Sequence, residues 1–513
     1  MNRQRIDREG EGSPRPSVAG SRRAQGHVRD TGSIHDGGRR ARGEQERLGR
    51  PDDGPRRAPA ARRHAPQKRP NPVRRILNEW FDRVVGAVSE GDLAGQEEEF
   101  EAGRTSRDFV WNSIGQAAWG MVFPILTIVV TQLSGAERAG MFSFAFVIAN
   151  LLYIIGTYGV RTYQVSDIDG FHSFKDYQAN RVATCLIMLA VGFVVLRVLG
   201  YEGEMATMCV GIFAYKAVDA LGEVYEGRLQ QQDKLYLGGV SLSLRSGAAF
   251  LAYAIFLFVT GNLGIAAIAM AVAAAVTFVL VTFPLTLFET EKSSVLSLHS
   301  VGILFKECFP VFIALFLYAL VDNMPKFVMQ GANLPYENQL YFNALYFPAM
   351  AVLIVVQLIY RPMLVRMARI WADESRRRRF DFLIIGMMAL ITLITLVGAV
   401  LMAWIGIPIM SFLYGLDFGP YRQLAVIMLA AGGVTAGIDF LYQVITILRR
   451  QRAVLSLYII TFGFSLLVLI LMTTMMQLEG AVVGYLIVMS ILLILLIREY
   501  ALQRMDFSKQ RSR

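Results

Sequence analysis

From Phe109 to Arg498 the chain alternates long apolar stretches with short polar connections, and this constrains its fold more than any motif does. Twelve apolar segments are present, with approximate limits 109–131, 141–161, 179–199, 205–224, 239–260, 264–287, 308–330, 340–360, 382–405, 422–446, 454–475 and 479–498. A hydrocarbon core about 30 Å thick is crossed by about 20 residues of helix. Within it every backbone N–H and C=O must be satisfied internally, so each segment is expected to be helical. The hydrophobic share, 54% without counting glycine, exceeds what a soluble domain reaches with glycine included. The expected class is therefore an all-α, polytopic membrane protein.

The connections carry the orientation. With the N-terminus in the cytoplasm, 17 Lys and Arg fall in cytoplasmic connections, among them Arg161, Lys175, Arg228, Lys234, Arg376 to Arg379, Arg449 and Arg450. Only Arg138, Arg197 and Arg422 fall outside, which is the asymmetry of the positive-inside rule and places both termini in the cytoplasm. The polar stretch around 288–307 divides the segments six and six. Leu229-Gln-Gln-Gln-Asp-Lys234 and Leu448-Arg-Arg-Gln-Arg-Ala453 occupy equivalent places in the two halves, which suggests two parallel six-helix repeats.

Ahead of the apolar segments, residues 1–75 hold 20 Lys and Arg against 9 Asp and Glu, with almost no aliphatic or aromatic side chains. Such a segment is expected to stay disordered, because it cannot bury enough apolar surface to offset the entropy of ordering. It also accounts for the whole net charge of +10, so that charge does not point to nucleic acid. Within 76–107, Ile76, Leu77, Trp80, Phe81, Val84, Val85 and Val88 have the spacing of an amphipathic helix lying on the anionic membrane face, followed by an acidic linker. The expected organisation is then a six-helix bundle over 108–288, a cytoplasmic linker over 289–307, a second bundle over 308–499 and a cytoplasmic tail over 500–513.

Charges inside the apolar segments are the functional candidates, since a charge at the bilayer centre costs roughly 2.5–3.5 kcal/mol on insertion scales. Lys216, Asp219, Glu223 and Glu226 form one stripe along the fourth helix. Lys216 and Asp219 either pair with each other or face a hydrated cavity, while Glu223 and Glu226 sit near the rim, where water could solvate them. Asp322 and Lys326 flank Pro325 in the seventh helix, a substrate-site device in transporters, unless Lys326 snorkels to the interface. Arg245 in the fifth helix could reach a cavity or the headgroups. Asp439 marks the tenth helix, and Asp219, Asp322 and Asp439 are the candidates for a coupling ion.

Several chemistries are not encoded. There is no GxxxxGK[ST] for nucleotide and no HExxH for metal. Cys185, Cys209 and Cys308 lack metal or disulfide spacing and read as core hydrophobes. Asp167-Ile-Asp169 matches the DxD of glycosyltransferases only as two carboxylates in a short connection. No cofactor or metal is expected, and no enzymatic activity.

Gly140-Met-Phe-Ser-Phe-Ala145, Gly159-Val-Arg-Thr-Tyr-Gln164, Gly227-Arg-Leu-Gln-Gln-Gln-Asp-Lys-Leu235 and Gly406-Ile-Pro-Ile-Met-Ser-Phe-Leu-Tyr-Gly-Leu-Asp-Phe418 resemble the polysaccharide flippase branch of the multidrug/oligosaccharidyl-lipid/polysaccharide (MOP) exporter superfamily. The likeness spans roughly 105–500. It implies a protein of the bacterial inner membrane that flips an undecaprenyl-diphosphate-linked oligosaccharide by alternating access, with membrane lipids and other polysaccharide-assembly proteins as partners. A diphosphate calls for fixed cations, and Lys216, Arg245, Lys326 and, at the cytoplasmic mouth, Arg161 are the candidates. The alternatives are a drug or cation antiporter, disfavoured because the first apolar segment has no Asp or Glu, and a membrane-embedded glycan polymerase or glycosyltransferase, disfavoured by short external loops.

Overall fold

The computed structural model describes residues 97–167, 170–290, 296–372, 377–448 and 451–511. The expected tail and amphipathic segment before residue 97, and Asp169 of the DxD, lie outside them. Every regular element among the described residues is helical. Eleven helices are long and apolar enough to cross a membrane: Arg107–Ser134, Ala136–Ser166, Phe174–Val198, Gly203–Gln231, Leu235–Thr260, Leu263–Glu289, Leu298–Gly331, Glu337–Tyr360, Arg377–Tyr414, Gly419–Ile447 and Val454–Met505. The last is two helices in series, because Gln477 leaves the helical region (φ 50°, ψ −125°). Counting its halves as the eleventh and twelfth spans gives the expected twelve.

Local chemistry fixes the ends. Ser173 caps the third span by accepting from the Asp176 N–H while the Asp176 carboxylate accepts from the Ser173 N–H, a reciprocal box that satisfies two otherwise orphaned donors. The fifth and sixth spans join through Gly261, left-handed at φ 62°, and Asn262, whose side chain accepts from the Ile265 N–H. The second span breaks at Tyr158 (φ 52°) and Gly159 (φ 68°) and resumes at Val160.

Four expected connections are more helical than the sequence suggested. Helix is already present from Glu97 to Ser134, taking in part of the acidic linker. The linker expected over 289–307 ends early, because the seventh span is one helix from Leu298 to Gly331. Leu304 and Cys308 of that extension are buried against Val160, Tyr177 and Val224, so the first half of the chain supplies the apolar surface that makes these turns helical. The arginine-rich connection after the eighth span contains a helix, Leu364–Ala372, and the ninth span begins at Arg377. It continues through a π-turn at Met402–Gly406 to Tyr414, so much of Gly406–Phe418 is helix.

Helix pairing repeats across the two halves. In the first, the first span packs on the fifth, the second and third on the fourth, and the sixth on the fourth and fifth. In the second, the seventh packs on the terminal helix pair, the eighth and ninth on the tenth, and the tenth on the terminal pair. The result is two six-helix lobes of like architecture. They meet where the second span lies against the seventh and eighth. At one end of this seam a Cβ on Gly140 would stand 1.8 Å from the Tyr336 carbonyl oxygen, so only glycine allows that approach. At the other, Tyr158 stacks on Phe312 at 4.5 Å, Tyr163 donates to Glu307, and Asp176 accepts from the Ser297 N–H at 2.7 Å.

Candidate functional site

Lys216, Asp219 and Arg245 converge in the interior of the first lobe, where their exposures are 3%, 1% and 1%. Arg245 donates to Asp219 Oδ1 from Nε at 3.2 Å and from Nη2 at 3.0 Å, a fork geometry that only a guanidinium provides. The Trp119 indole donates to Asp219 Oδ2. Lys216 Nζ lies farther away, 3.9 Å from that same oxygen. The counter-ion of Asp219 is thus chiefly Arg245 from the neighbouring helix rather than its i,i+3 neighbour. Glycine makes the pairing possible: a Cβ on Gly222 would be 2.4 Å from Arg245 Nη1.

The stripe continues along the fourth span. Arg245 Nη1 is 2.7 Å from Glu226 Oε1, and Arg161 Nη1 is 4.0 Å from Glu226 Oε2. Glu226 is only 2% exposed, so it is not solvated at a rim; two guanidiniums hold it instead. Arg181 Nη2 lies 2.9 Å from Glu223 Oε2, and Arg181 Nη1 donates to the Gly156 carbonyl. Arg245 reaches neither headgroups nor open water. The connected set holds three cations, Arg161, Lys216 and Arg245, against two carboxylates, Asp219 and Glu226, and beside it Arg181 and Glu223 form a pair of their own.

Lys216 has an environment of its own. Its ammonium lies 4.7 Å from the ring centroid of Trp119, 5.0 Å from Phe146, 5.2 Å from Tyr153 and 5.3 Å from Tyr215. Each distance is within reach of a cation–π attraction. Hydropathy counts these rings as apolar, so the sequence pattern hid their role.

Arg161 leads out of this network. Beside donating to Gln230 at 3.1 Å, it lines a cavity of about 420 Å³ with Thr157, Gly159, Thr162, Val165, Ser166, Glu223, Gln230 and Leu315. Leu315 belongs to the seventh span, so the cavity lies between the lobes, toward the end assigned to the cytoplasm by the basic connections.

The second lobe keeps its candidates apart from these. Asp322 accepts from the Tyr346 and Tyr485 hydroxyls at 2.7 and 2.6 Å. Lys326 donates to Asn323 at 2.9 Å and sits 4.5 Å from the Tyr346 ring; at 2% exposure it does not snorkel. Asp439 accepts from Gln357 at 3.0 Å and from Tyr360, tying the tenth span to the eighth. Of the candidates, therefore, Lys216, Asp219, Arg245 and Arg161 are brought together, Asp322 and Lys326 share Tyr346, and Asp439 stands alone. Among the described residues no group of three or more His, Cys, Asp or Glu could hold a metal, and the three cysteines are free and buried.

No family model matches the sequence, and no curated protein matches it. Its fold does have solved counterparts. An inward-facing multidrug resistance MATE family transporter of the MOP superfamily superposes with a TM-score of 0.58 at 14% identity, over 79% of this chain and 99% of its own. The chain shares the fold of that transporter. A MOP superfamily transporter from Pyrococcus furiosus, described as having a binding pocket of reverse polarity, gives 0.53 at 16% identity over 79% and 95% of the two chains. The Vibrio cholerae MATE transporter VcmN gives 0.51 at 15% identity over 78% and 97%. At such identities the likeness establishes the two-lobed helical architecture alone.

Proposed function

We propose that this protein is an alternating-access transporter that moves a lipid-linked oligosaccharide, joined to its polyprenyl carrier through a diphosphate, across the cytoplasmic membrane. The observation that carries this reading is the surplus of buried cations in the first lobe, connected through Glu226 to Arg161 on the wall of the inter-lobe cavity. A diphosphate needs fixed positive charge where water is scarce, and a guanidinium binds it in two-pronged fashion. The prenyl chain needs no site, since it can stay in the surrounding lipid. The MOP fold of the solved neighbours supplies two lobes able to rock about such a cavity. A cation antiporter fits less well, because the first span carries no Asp or Glu beyond Asp108 and the deepest carboxylate, Asp219, is occupied by Arg245.

The test is reconstitution into liposomes holding a fluorescent polyprenyl-diphosphate oligosaccharide, with an impermeant glycosidase reporting which leaflet it occupies. Accelerated transbilayer exchange, reduced at least tenfold in Arg161→Ala, is the expected result. Movement of cationic dyes down an imposed ion gradient, with no exchange of the lipid, would overturn this assignment and leave the antiporter.

A further inference from the structure

The carboxylate nearest Lys216 is already satisfied. Asp219 accepts two N–H groups from Arg245 and one from Trp119, so Lys216 at 3.9 Å is the cation for which the network holds no carboxylate in reserve. What surrounds its ammonium is aromatic: the rings of Trp119, Phe146, Tyr153 and Tyr215, all 4.7–5.3 Å away. Four ring faces around one nitrogen are the arrangement by which proteins bind quaternary ammonium ions. Here the chain fills such a cage with its own side chain.

The cage also has a way in. Phe146 and Tyr215 are buried, whereas Trp119 and Tyr153 are half-buried and stand side by side with ring centroids 5.9 Å apart. Trp119 lies one turn before Phe123, and Phe123 meets Phe347 of the other lobe edge-on at 5.1 Å, so this face of the first span looks toward the lobe interface.

From these facts we infer that Lys216 is the built-in occupant of an organic-cation site, and that its presence is what keeps monovalent organic cations out. Removing the side chain beyond Cβ takes away Cγ, Cδ, Cε and Nζ, one heavy atom fewer than tetramethylammonium holds, from within the four rings. It also removes the surplus positive charge, leaving Arg161, Arg181 and Arg245 balanced by Asp219, Glu223 and Glu226. Lys216 would thus set the polarity of ligand that the first lobe accepts. The inference does not depend on the oligosaccharide reading, because its readout is the binding of a small cation.

The experiment measures thermal unfolding of the full-length purified protein in detergent, titrated with tetramethylammonium chloride against sodium chloride at equal ionic strength. Lys216→Ala should gain saturable stabilisation with an apparent affinity at least about tenfold above the parent. The parent should show none, nor should Lys216→Arg, which keeps the charge, or Lys216→Met, which refills the cage without charge. Lys216→Ala/Trp119→Ala should lose the gain. Should Lys216→Ala fold only when tetramethylammonium is present during purification, that rescue supports the inference equally. A folded Lys216→Ala that responds no more to tetramethylammonium than to sodium overturns it, as does failure to fold in both salts or equal binding by the parent.

Discussion

Replacing Arg245 with Met separates the two accounts of the charged stripe most sharply. On one of the two readings that spacing allows, Lys216 and Asp219 are mutual counter-ions, so that losing either strands a charge and losing both restores balance. The structure assigns that role to Arg245, which holds Asp219 at 3.0 and 3.2 Å and Glu226 at 2.7 Å. In Arg245→Met both carboxylates stay buried, with Lys216 at 3.9 Å and Arg161 at 4.0 Å as their remaining cations. Breaking a buried pair from one side costs about 3–5 kcal/mol, and here two acceptors lose their donor at once, so the upper part of that range is expected. Lys216→Met removes no hydrogen bond from Asp219 and forfeits attraction to the rings, about 2 kcal/mol at a desolvated site, together with the looser ion pair at 3.9 Å. Lys216→Ala/Asp219→Ala should be less stable than Lys216→Met, since Arg245 then keeps only Glu226 and Thr282 as partners. The assay is unfolding of each purified variant in mixed micelles, followed by tryptophan fluorescence. Equal destabilisation by Lys216→Met and Arg245→Met, with the double variant near the parent, would refute the assignment of Arg245 as the counter-ion.

Two further predictions concern the lobes and their orientation. Gly140→Val should force the second and eighth spans apart at Tyr336 and cut transport at least tenfold while the protein still accumulates in the membrane; unchanged transport would show that the close approach is dispensable. Single cysteines at Leu334 and Gln477 should react with an impermeant maleimide added outside intact cells and one at Gln232 should not, against low background because Cys185, Cys209 and Cys308 are buried; labelling at Gln232 would invert the topology.

The spans were legible because hydropathy is a property of single segments. Even the break between the last two helices follows from the polar residues near Gln477, though the helix runs closely up to it on both sides. What the sequence concealed is relational. The turns from Leu298 to Glu307 look like a connection until Val160, Tyr177 and Val224, far away in the chain, are folded against Leu304. Arg245 lies two turns into an apolar segment with nothing local to say whom it meets, and only Gly222, a missing side chain inside the charged stripe, hints at something bulky opposite. The tyrosines on Asp322 and the rings around Lys216 went unnoticed for a different reason, since an aromatic residue in an apolar run contributes to hydropathy whether it faces lipid, core or an ion.

The seam between the second and seventh spans bears on how this protein could be stabilised. Its contacts gather at two ends: at one, Tyr158 stacked on Phe312, the Tyr163–Glu307 hydrogen bond and Val160 packed with Leu304 and Cys308; at the other, an edge-on Phe144–Phe327 pair beside the bare backbone approach of Gly140 to Tyr336. Interhelical hydrogen bonds within membranes average about 0.6 kcal/mol, so the Tyr163–Glu307 hydrogen bond adds little to the packing at its end. The proposed alternating-access cycle requires the ends to part in succession. Substitutions that strengthen one end would therefore raise the melting temperature and slow the cycle together, by deepening one resting state at the expense of the other. Thermostability screens on this chain should accordingly select variants stalled in the proposed cycle, whereas substitutions buried within a single lobe should stabilise both states alike.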